Sequence, residues 1–356
     1  MIRLLDLLTL DDGSQVDADS WGRRRQELFE AIVPHEYGGL PSKPNQVSVT
    51  RRSRVRVRDL NVDYEVHEIC VTLPTGEIRL TMSMWVPPGD EARPVLLDVD
   101  GCWRFLNDRV VERVLDRGYL PVSFDRTQAA ADNKDEYRST GLYRLYPEAE
   151  FGVISCWAWG LHRCIDALEQ LPPANADQIA ITGHSRGGKT VLLAGATDER
   201  IAITNPNDSG TGGGASNRWK CEGAEVVDDF FRSGNIFWFG RDFAEHRHRD
   251  GQLSYDQHYL HALVAPRGLL ITEGYEDHAA NPPASYLACQ TVRSVYDLLD
   301  SSDQVGWALR EGGHDHREID YEALLDFMDL VFRSGEVRRD FQRPLFPQLE
   351  QQLSRL

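Results

Sequence analysis

Apolar and polar positions alternate between Gln46 and Pro87: Val47, Val49, Val55 and Val57, then Val66, Ile69 and Val71, then Ile78, Leu80, Met82 and Met84. A period of two is the mark of a strand, so three strands are predicted, separated by turns such as Leu73-Pro74-Thr75-Gly76. They read as the antiparallel entry to a sheet. After Pro94 the pattern changes to short apolar runs separated by stretches of helical spacing. Strands are predicted at Val95–Val99, Tyr119–Phe124, Gln178–Thr182, Ile201–Asn205, Gly268–Thr272 and Val305–Arg310. Helices are predicted at Asp108–Asp116, Phe151–Leu171, Ser185–Ala196, Ala284–Leu299 and Tyr321–Phe332. Strand alternating with helix at this interval builds right-handed βαβ units around a mostly parallel sheet.

Two insertions interrupt the alternation, at Thr127–Glu150 and Asn207–Leu260. Loops of that length in a compact domain usually serve function, here as walls of a substrate cleft. Ahead of the sheet, Trp21–Val33 has helical spacing, and Pro34–Pro44 is a loop rich in Pro and Gly. The expected division is an N-terminal helical and loop extension (1–45), one α/β domain (46–336) and a C-terminal tail (337–356).

With 356 residues the chain can bury a core without disulfide or metal staples. Its formal net charge of −17 argues against nucleic acid or an anionic membrane as partner, and its plain reading is solubility. No apolar run approaches the roughly 18 residues of a membrane span. Met1–Leu10 is apolar but short and runs into Asp11-Asp12-Gly13, which does not make a secretory signal. If Met1 is the native start, a cytoplasmic location is expected. Cys70, Cys102, Cys156, Cys164, Cys221 and Cys289 show no C-x-x-C spacing and so no zinc or redox motif, while their even number leaves pairing open.

Chemistry enters at Gly183-His184-Ser185-Arg186-Gly187, a G-x-S-x-G with a predicted strand before it and a helix after it. That context is the nucleophile elbow of an α/β-hydrolase fold, a three-layer sandwich with helices on both faces of the sheet. The serine must sit on a strained turn where flanking side chains would collide, and the following helix points its first amides at the charge formed on a substrate oxygen. A glycine-rich turn with a capping serine is the plainer alternative, but it does not explain the partners downstream. In this fold the order is Ser, acid, His. His314 follows the last predicted strand in Glu311-Gly312-Gly313-His314-Asp315-His316 and is the expected base, with His316 as competitor. The acid is Asp277, in Gly274-Tyr275-Glu276-Asp277-His278, or Asp208, in Asn207-Asp208-Ser209-Gly210. Either is also an ordinary turn aspartate. The oxyanion is expected against the Arg186 amide and an amide near Gly101-Cys102.

His246, His248, His258 and His261 are of the right type for zinc, but Glu245-His246-Arg247-His248-Arg249-Asp250 reads as a solvated charged segment. Gly212-Gly213-Gly214 lacks the following G-K-[ST] of a phosphate loop. No metal and no cofactor is expected.

Several segments together resemble the glucuronoyl esterases, a carbohydrate esterase family of fungi and bacteria. Gly183-His184-Ser185-Arg186-Gly187-Gly188-Lys189 is similar to that family's G-C/H-S-R-x-G-K elbow. Trp157-Ala158-Trp159-Gly160, with Arg163 and Ile165-Asp166-Ala167-Leu168-Glu169, resembles its W-G-x-x-R-x-x-D-x-L-E helix. Asp208-Ser209-Gly210-Thr211-Gly212-Gly213 and Tyr255-Asp256-Gln257-His258 with Ala265-Pro266-Arg267-Gly268-Leu269 extend the likeness over roughly Leu80 to Phe332. The resemblance implies a serine esterase acting on the ester between glucuronic acid on xylan and a lignin alcohol. It implies an oxyanion role for the Arg186 guanidinium and sugar-hydroxyl contacts for Lys189. Trp238 matches a family tryptophan, although an aromatic cluster is more often core than platform. Glu276-Asp277-His278-Ala279-Ala280-Asn281-Pro282 is similar to the E-D-x-W-A-D-P turn of bacterial members, with Ala279 where that turn carries tryptophan. The fungal glutamine and glutamate that hold the uronate have no clear match between Ala224 and Asn235. A carbohydrate acetyl esterase or general carboxylesterase on the same fold is the alternative, and a catalytically inactive sugar-binding relative is a third reading. The expected partner is a small-molecule or oligosaccharide ester.

Overall fold

The computed structural model describes residues 4–333 and 338–351. Residues 1–3 of the apolar N-terminus, the boundary expected at 336 and the end of the tail lie outside the described residues. Strands β1 (Gln46–Val57), β2 (Val62–Leu73) and β3 (Gly76–Val86) are the alternating segments, paired antiparallel in sequence order. They are followed by β4 (Arg93–Asp98), β5 (Leu120–Phe124), β6 (Ala174–His184), β7 (Ile203–Asn207), β8 (Gly268–Gly274) and β9 (Val305–Arg310). These form one sheet in the order β1-β2-β3-β5-β4-β6-β7-β8-β9. Pairing is parallel from β5 across to β9.

The main α-helices are α1 (Trp21–Tyr37), α2 (Asp108–Asp116), α3 (Val153–Leu168), α4 (Arg186–Thr197), α5 (Val227–Ser233), α6 (His258–Val264), α7 (Pro282–Leu298) and α8 (Glu318–Arg333), with one further turn, α9, at Pro347–Glu350. Both faces of the parallel sheet are covered. Val95 and Leu97 of β4, Ile179 and Ile181 of β6, and Leu269 and Ile271 of β8 enter one core, with α3, α4 and α7. Leu96, Ala180 and Leu270 between them enter the other, closed by α2 and α8 through Val110, Val114, Leu324 and Phe327. Two covered faces are why these strands read as unbroken apolar runs, while β2 and β3, with one face covered, alternate, and β1 at the sheet edge buries no residue. Among the described residues no helix is long and apolar enough to cross a membrane.

One boundary differs from expectation. α1 continues past Pro34 to Tyr37 instead of giving way to a loop. Proline inside a helix loses one backbone bond, but the turn it would forfeit carries Glu36 and Tyr37, both fully buried. Tyr37 gives its hydroxyl to Gly212 O at 3.1 Å, and its carbonyl accepts the Gly152 N–H at 2.9 Å and the Ser155 hydroxyl at 3.0 Å. Gly38 then stops the helix at φ 71°, where a Cβ would lie 2.4 Å from Glu150 O. The N-terminal helix thus fastens both insertions, at residues 150–152 and at 212.

Leu28, Ile32, Val33 and Tyr37 of α1 lie in the same core as α3 and α4. At about 1.5–3 kcal/mol for each buried side chain, their sum is of the order of a domain's whole stability margin, roughly 5–15 kcal/mol. A chain beginning at residue 46 is therefore expected to lose its cooperative thermal transition and its near-UV circular dichroism. A Tm within a few degrees of the full chain would show that α1 is dispensable.

Candidate active site

β6 ends at His184 and α4 begins at Arg186, so Ser185 makes the turn alone. Its backbone lies at φ 57°, ψ −119°, a region that side-chain-bearing residues rarely occupy, at a cost of about 1–3 kcal/mol. Neighbours hold it there. The Ser185 N–H donates to Asn207 O at 2.8 Å, and the His184 N–H donates to Asp100 Oδ2 at 2.5 Å. A Cβ on Gly187 would lie 2.4 Å from Asp100 Oδ1, and one on Gly183 would lie 2.7 Å from the Gly187 carbonyl. The first helical bond here runs from Lys189 N–H to Ser185 O at 3.0 Å, so the amides of Arg186, Gly187 and Gly188 precede the ladder, at the positive end of the helix.

The loops after β8 and β9 are zipped together. Tyr275 N–H donates to Arg310 O at 2.8 Å, Glu276 N–H to Gly312 O at 3.1 Å, and the Glu276 carboxylate accepts the Gly312 N–H. Across this zip His314 Nδ1 stands 2.6 Å from Asp277 Oδ2. Burial alone would raise the Asp277 carboxyl, but the hydrogen bond and charge of His314 bring it below its ordinary value. Burial alone would likewise lower His314, and the bond to Asp277 leaves it raised.

Of the two expected acids, Asp277 is bonded to the imidazole and Asp208 is not. Asp208 is buried behind it, accepting the Gly274 N–H at 2.8 Å and Arg310 Nη2 at 2.9 Å. Arg310 also donates from Nε to Asp320 at 2.7 Å. Burial, with the charge of Asp277, pushes Asp208 up to about 7, and a guanidinium shared with Asp320 does not offset it. His316, the competing base, meets no carboxylate among the described residues. It is buried and stacked on the Tyr321 ring at 4.2 Å, because its loop turns inward onto α8. His184 lies against His314 at 4.4 Å between ring centres, with Phe105 on it at 5.1 Å. Asn207 Nδ2 donates to Thr272, so its Oδ1 accepts, and His184 Nδ1 must carry the proton of their 2.6 Å bond. Burial pushes His184 down to about 4, which keeps this ring neutral beside His314.

Three other expectations change, at Gly101, Lys189 and Trp238. The Gly101 amide is already given to Phe124 O at 3.1 Å, because Asp100 and Asp125 bridge the ends of β4 and β5, so it is not an oxyanion donor. Cys102 is exposed, with Sγ 3.2 Å from Arg126 Nη1. Lys189, expected at substrate hydroxyls, is buried, with Nζ 2.5 Å from Ser209 O and 2.6 Å from Thr211 O. Trp238, expected to line the substrate site, is 5% exposed and lies under the Arg186 guanidinium at 4.7 Å. Arg186 Nη1 is 2.8 Å from Asp132 Oδ2, and Trp238 Nε1 donates to Asp132 Oδ1 at 2.9 Å.

Sequence reasoning missed Asp100, Arg126 and Asp132. Asp100, directly after a predicted strand, carried a positional signal; Arg126 and Asp132, in an unpatterned insertion, carried none. Arg126 is fully buried, paired with Asp100 and lying over Trp157 at 4.8 Å. The four histidines of the second insertion do not converge. His248 pairs with Asp228, His258 Nε2 meets Leu5 O at 2.9 Å, and His261 is buried in α6. Among the described residues the one group of ligand-type side chains within 4.8 Å of one another is Asp208, Asp277 and His314. All six cysteines are free thiols.

Known proteins share this architecture. The family model described as glucuronyl esterase, fungi, matches residues 69–300. The 4-O-methyl-glucuronoyl methylesterase of Schizophyllum commune is 32% identical over 329 residues, which cover 88% of this chain and 77% of that protein. The 4-O-methyl-glucuronoyl methylesterase 1 of Wolfiporia cocos is 30% identical over 327 residues, 88% of this chain and 76% of its own. The structure of a carbohydrate esterase family 15 glucuronoyl esterase from Caldicellulosiruptor kristjansonii superimposes with a TM-score of 0.85 at 32% identity, covering 97% of this chain and 94% of that one. An elbow serine, a histidine bonded to a strand-end carboxylate and these matches along most of the chain lead to one assignment: the chain belongs to the glucuronoyl esterase family, carbohydrate esterase family 15.

Proposed function

We propose that the chain hydrolyses the ester between a glucuronoyl group and an alcohol, with Ser185 as nucleophile, His314 as general base and Asp277 as the carboxylate behind it. The observation that carries this reading is the 2.6 Å His314–Asp277 pair beside the turn of Ser185, in a chain of this family. With Nδ1–H given to Asp277, His314 keeps its lone pair on Nε2, where it receives the Ser185 proton. Oγ bonds to the ester carbon and the carbonyl oxygen becomes an oxyanion. In this reading its donors are the first amides of α4, the Arg186 guanidinium and the Cys102 amide. His314 returns the proton to the departing alcohol. Water, deprotonated by the same imidazole, then cleaves the acyl-enzyme and restores Ser185. These steps need no metal or cofactor. An acid at Asp277 follows the bacterial pattern described above.

A second reading, a carbohydrate acetyl esterase, draws on the commitment of Lys189 to Ser209 and Thr211, which leaves fewer groups for a uronate. Comparing the benzyl ester of glucuronic acid with an acetylated sugar and nitrophenyl acetate separates the two. The uronate ester is expected to have the highest kcat/KM, and Ser185→Ala to lower kcat on the order of 10⁴-fold or more. Turnover of the acetates alone would move the function to deacetylation, and a fully active Ser185→Ala would end the serine mechanism.

The pH profile tests the acid. His314 acts as base only when neutral, and Asp277 holds its pKa above the usual 6.5, so kcat/KM should rise with pH through a value above 6.5. In Asp277→Asn the main raising partner is lost, while burial and the smaller pull of the Asp208 charge remain. The inflection should then move to lower pH than in the wild type, with kcat down by about 10³–10⁴. A larger loss in Asp208→Asn than in Asp277→Asn would mean that the acid is misassigned.

A further inference from the structure

Asp132, in the segment between β5 and α3, touches two groups that meet at the elbow. Its Oδ2 is 2.8 Å from Arg186 Nη1, and its Oδ1 accepts from Trp238 Nε1 at 2.9 Å. The guanidinium of Arg186 lies over the same indole at 4.7 Å. Two independent contacts therefore fix one guanidinium. The indole face fixes where the guanidinium sits, and the ion pair fixes the direction of Nη1. Trp238 is itself immobilised, buried with its edge on Phe230 at 6.0 Å. The Arg186 side chain nevertheless stays 32% exposed, so part of the cation remains open to what enters the cleft.

A second cation stands behind. Arg126 is fully buried and paired with Asp100, and its Nη2 lies 3.9 Å from the Asp132 oxygen that holds Arg186. Neither Nε nor Nη2 of Arg126 has a hydrogen-bond partner among the described residues. A buried guanidinium is screened little by solvent, so the Asp132 carboxylate faces two cations, one rigid and one partly exposed.

We propose that Asp132 is a positioning residue that aims Arg186 at the oxyanion and yields part of that ion pair as negative charge grows on the substrate oxygen. The inference rests on the reading above that Arg186 meets the oxyanion. An arginine side chain has many rotamers, and a donor that must be ordered during the reaction stabilises the transition state less than one already in place. A carboxylate at 2.8 Å supplies the order but also competes for the guanidinium. Arg126 relieves that competition, because it keeps Asp132 compensated while the Arg186 cation, already in place, shares its charge with the growing oxyanion. No covalent step is added to the reaction.

The test uses the full chain, with the methyl ester of glucuronic acid as substrate and a boronic acid that adds to Ser185 as a tetrahedral anion. Asp132→Asn keeps an acceptor for Trp238 Nε1 and removes the charge facing Arg186. We expect kcat to fall about tenfold with KM within about threefold, and boronate inhibition to weaken by the same factor as kcat. The double variant Asp132→Asn/Arg186→Ala should be no slower than Arg186→Ala alone, since Asp132 acts through Arg186. Losses that multiply, or an unchanged kcat in Asp132→Asn, overturn the proposal. If the asparagine variant does not fold, Asp132→Glu, which keeps the charge but displaces it, is carried through the same cycle and judged by the same non-additivity. Arg186→Ala with wild-type kcat would instead defeat the oxyanion reading itself, whatever happens at Asp132.

Discussion

A serine at φ 57° and ψ −119° has to be held there, since a residue with a side chain relaxes out of that region unless its surroundings forbid it. The holding groups come from both sides of β6. Asn207 ends β7 and accepts the Ser185 amide, while Asp100 follows β4 and accepts the His184 amide. Strand order supplies this bracket. The chain leaves β4 toward β5 on one side, then returns to lay β6 on the other, so β4 and β6 flank a topological switch point. Ligand sites of open α/β sheets form at that crevice, outside the carboxyl ends of the strands. Here the same geometry also clamps the strained residue.

The clamp requires buried charge, and buried charge requires partners. Asp98 and Asp100 lie beside Arg126 on one flank of the elbow; Asp208 and Asp320 share Arg310 on the other. On each flank the buried carboxyls outnumber the buried guanidinium. Burial, together with the charge of the neighbouring carboxylate, pushes Asp98 and Asp208 up to about 7, so the surplus acid on each side gives up part of its charge. A fully ionised set would leave an uncompensated buried anion, which is far more costly. Asp98 is also held by the Tyr321 hydroxyl at 2.7 Å, and Asp208 by the Gly274 amide at 2.8 Å. Both satisfy lone pairs without adding charge.

The fold was legible where one physical signal dominated. β9 and α2 span the predicted residues, and β4, β6 and β8 lie within a few residues of expectation, because unbroken apolar runs mark strands covered on both faces. α6 escaped notice inside the second insertion because it is buried on all sides, His258 and His261 included, and so shows no amphipathic period. The last turn of α1 escaped because Pro34 gives a local stop signal, while the burial that overrides it involves Gly152 and Gly212, far along the chain. In the site, Ser185 and His314 stood out through a motif and an order. Asp132 lies 54 positions from Arg186 and 106 from Trp238, in a segment with no period. No local pattern announces such a contact.

The two candidate acids show where sequence reasoning reaches its limit, and why. Asp208 follows β7 and Asp277 follows β8, neighbouring parallel strands whose carboxyl ends open on the same crevice. By position alone either can serve His314. What separates them is Arg310, the last residue of β9, in register with Gly274 at the end of β8. From there its guanidinium reaches behind the zip to Asp208 and Asp320, and it holds Asp208 back from the imidazole. The backbone bonds of Tyr275 and Glu276 to the β9 loop meanwhile carry Asp277 forward to His314. An arginine at the end of one strand thus selects between carboxylates at the ends of two others. That selection depends on the β8–β9 register, a property of the folded sheet and of no single segment.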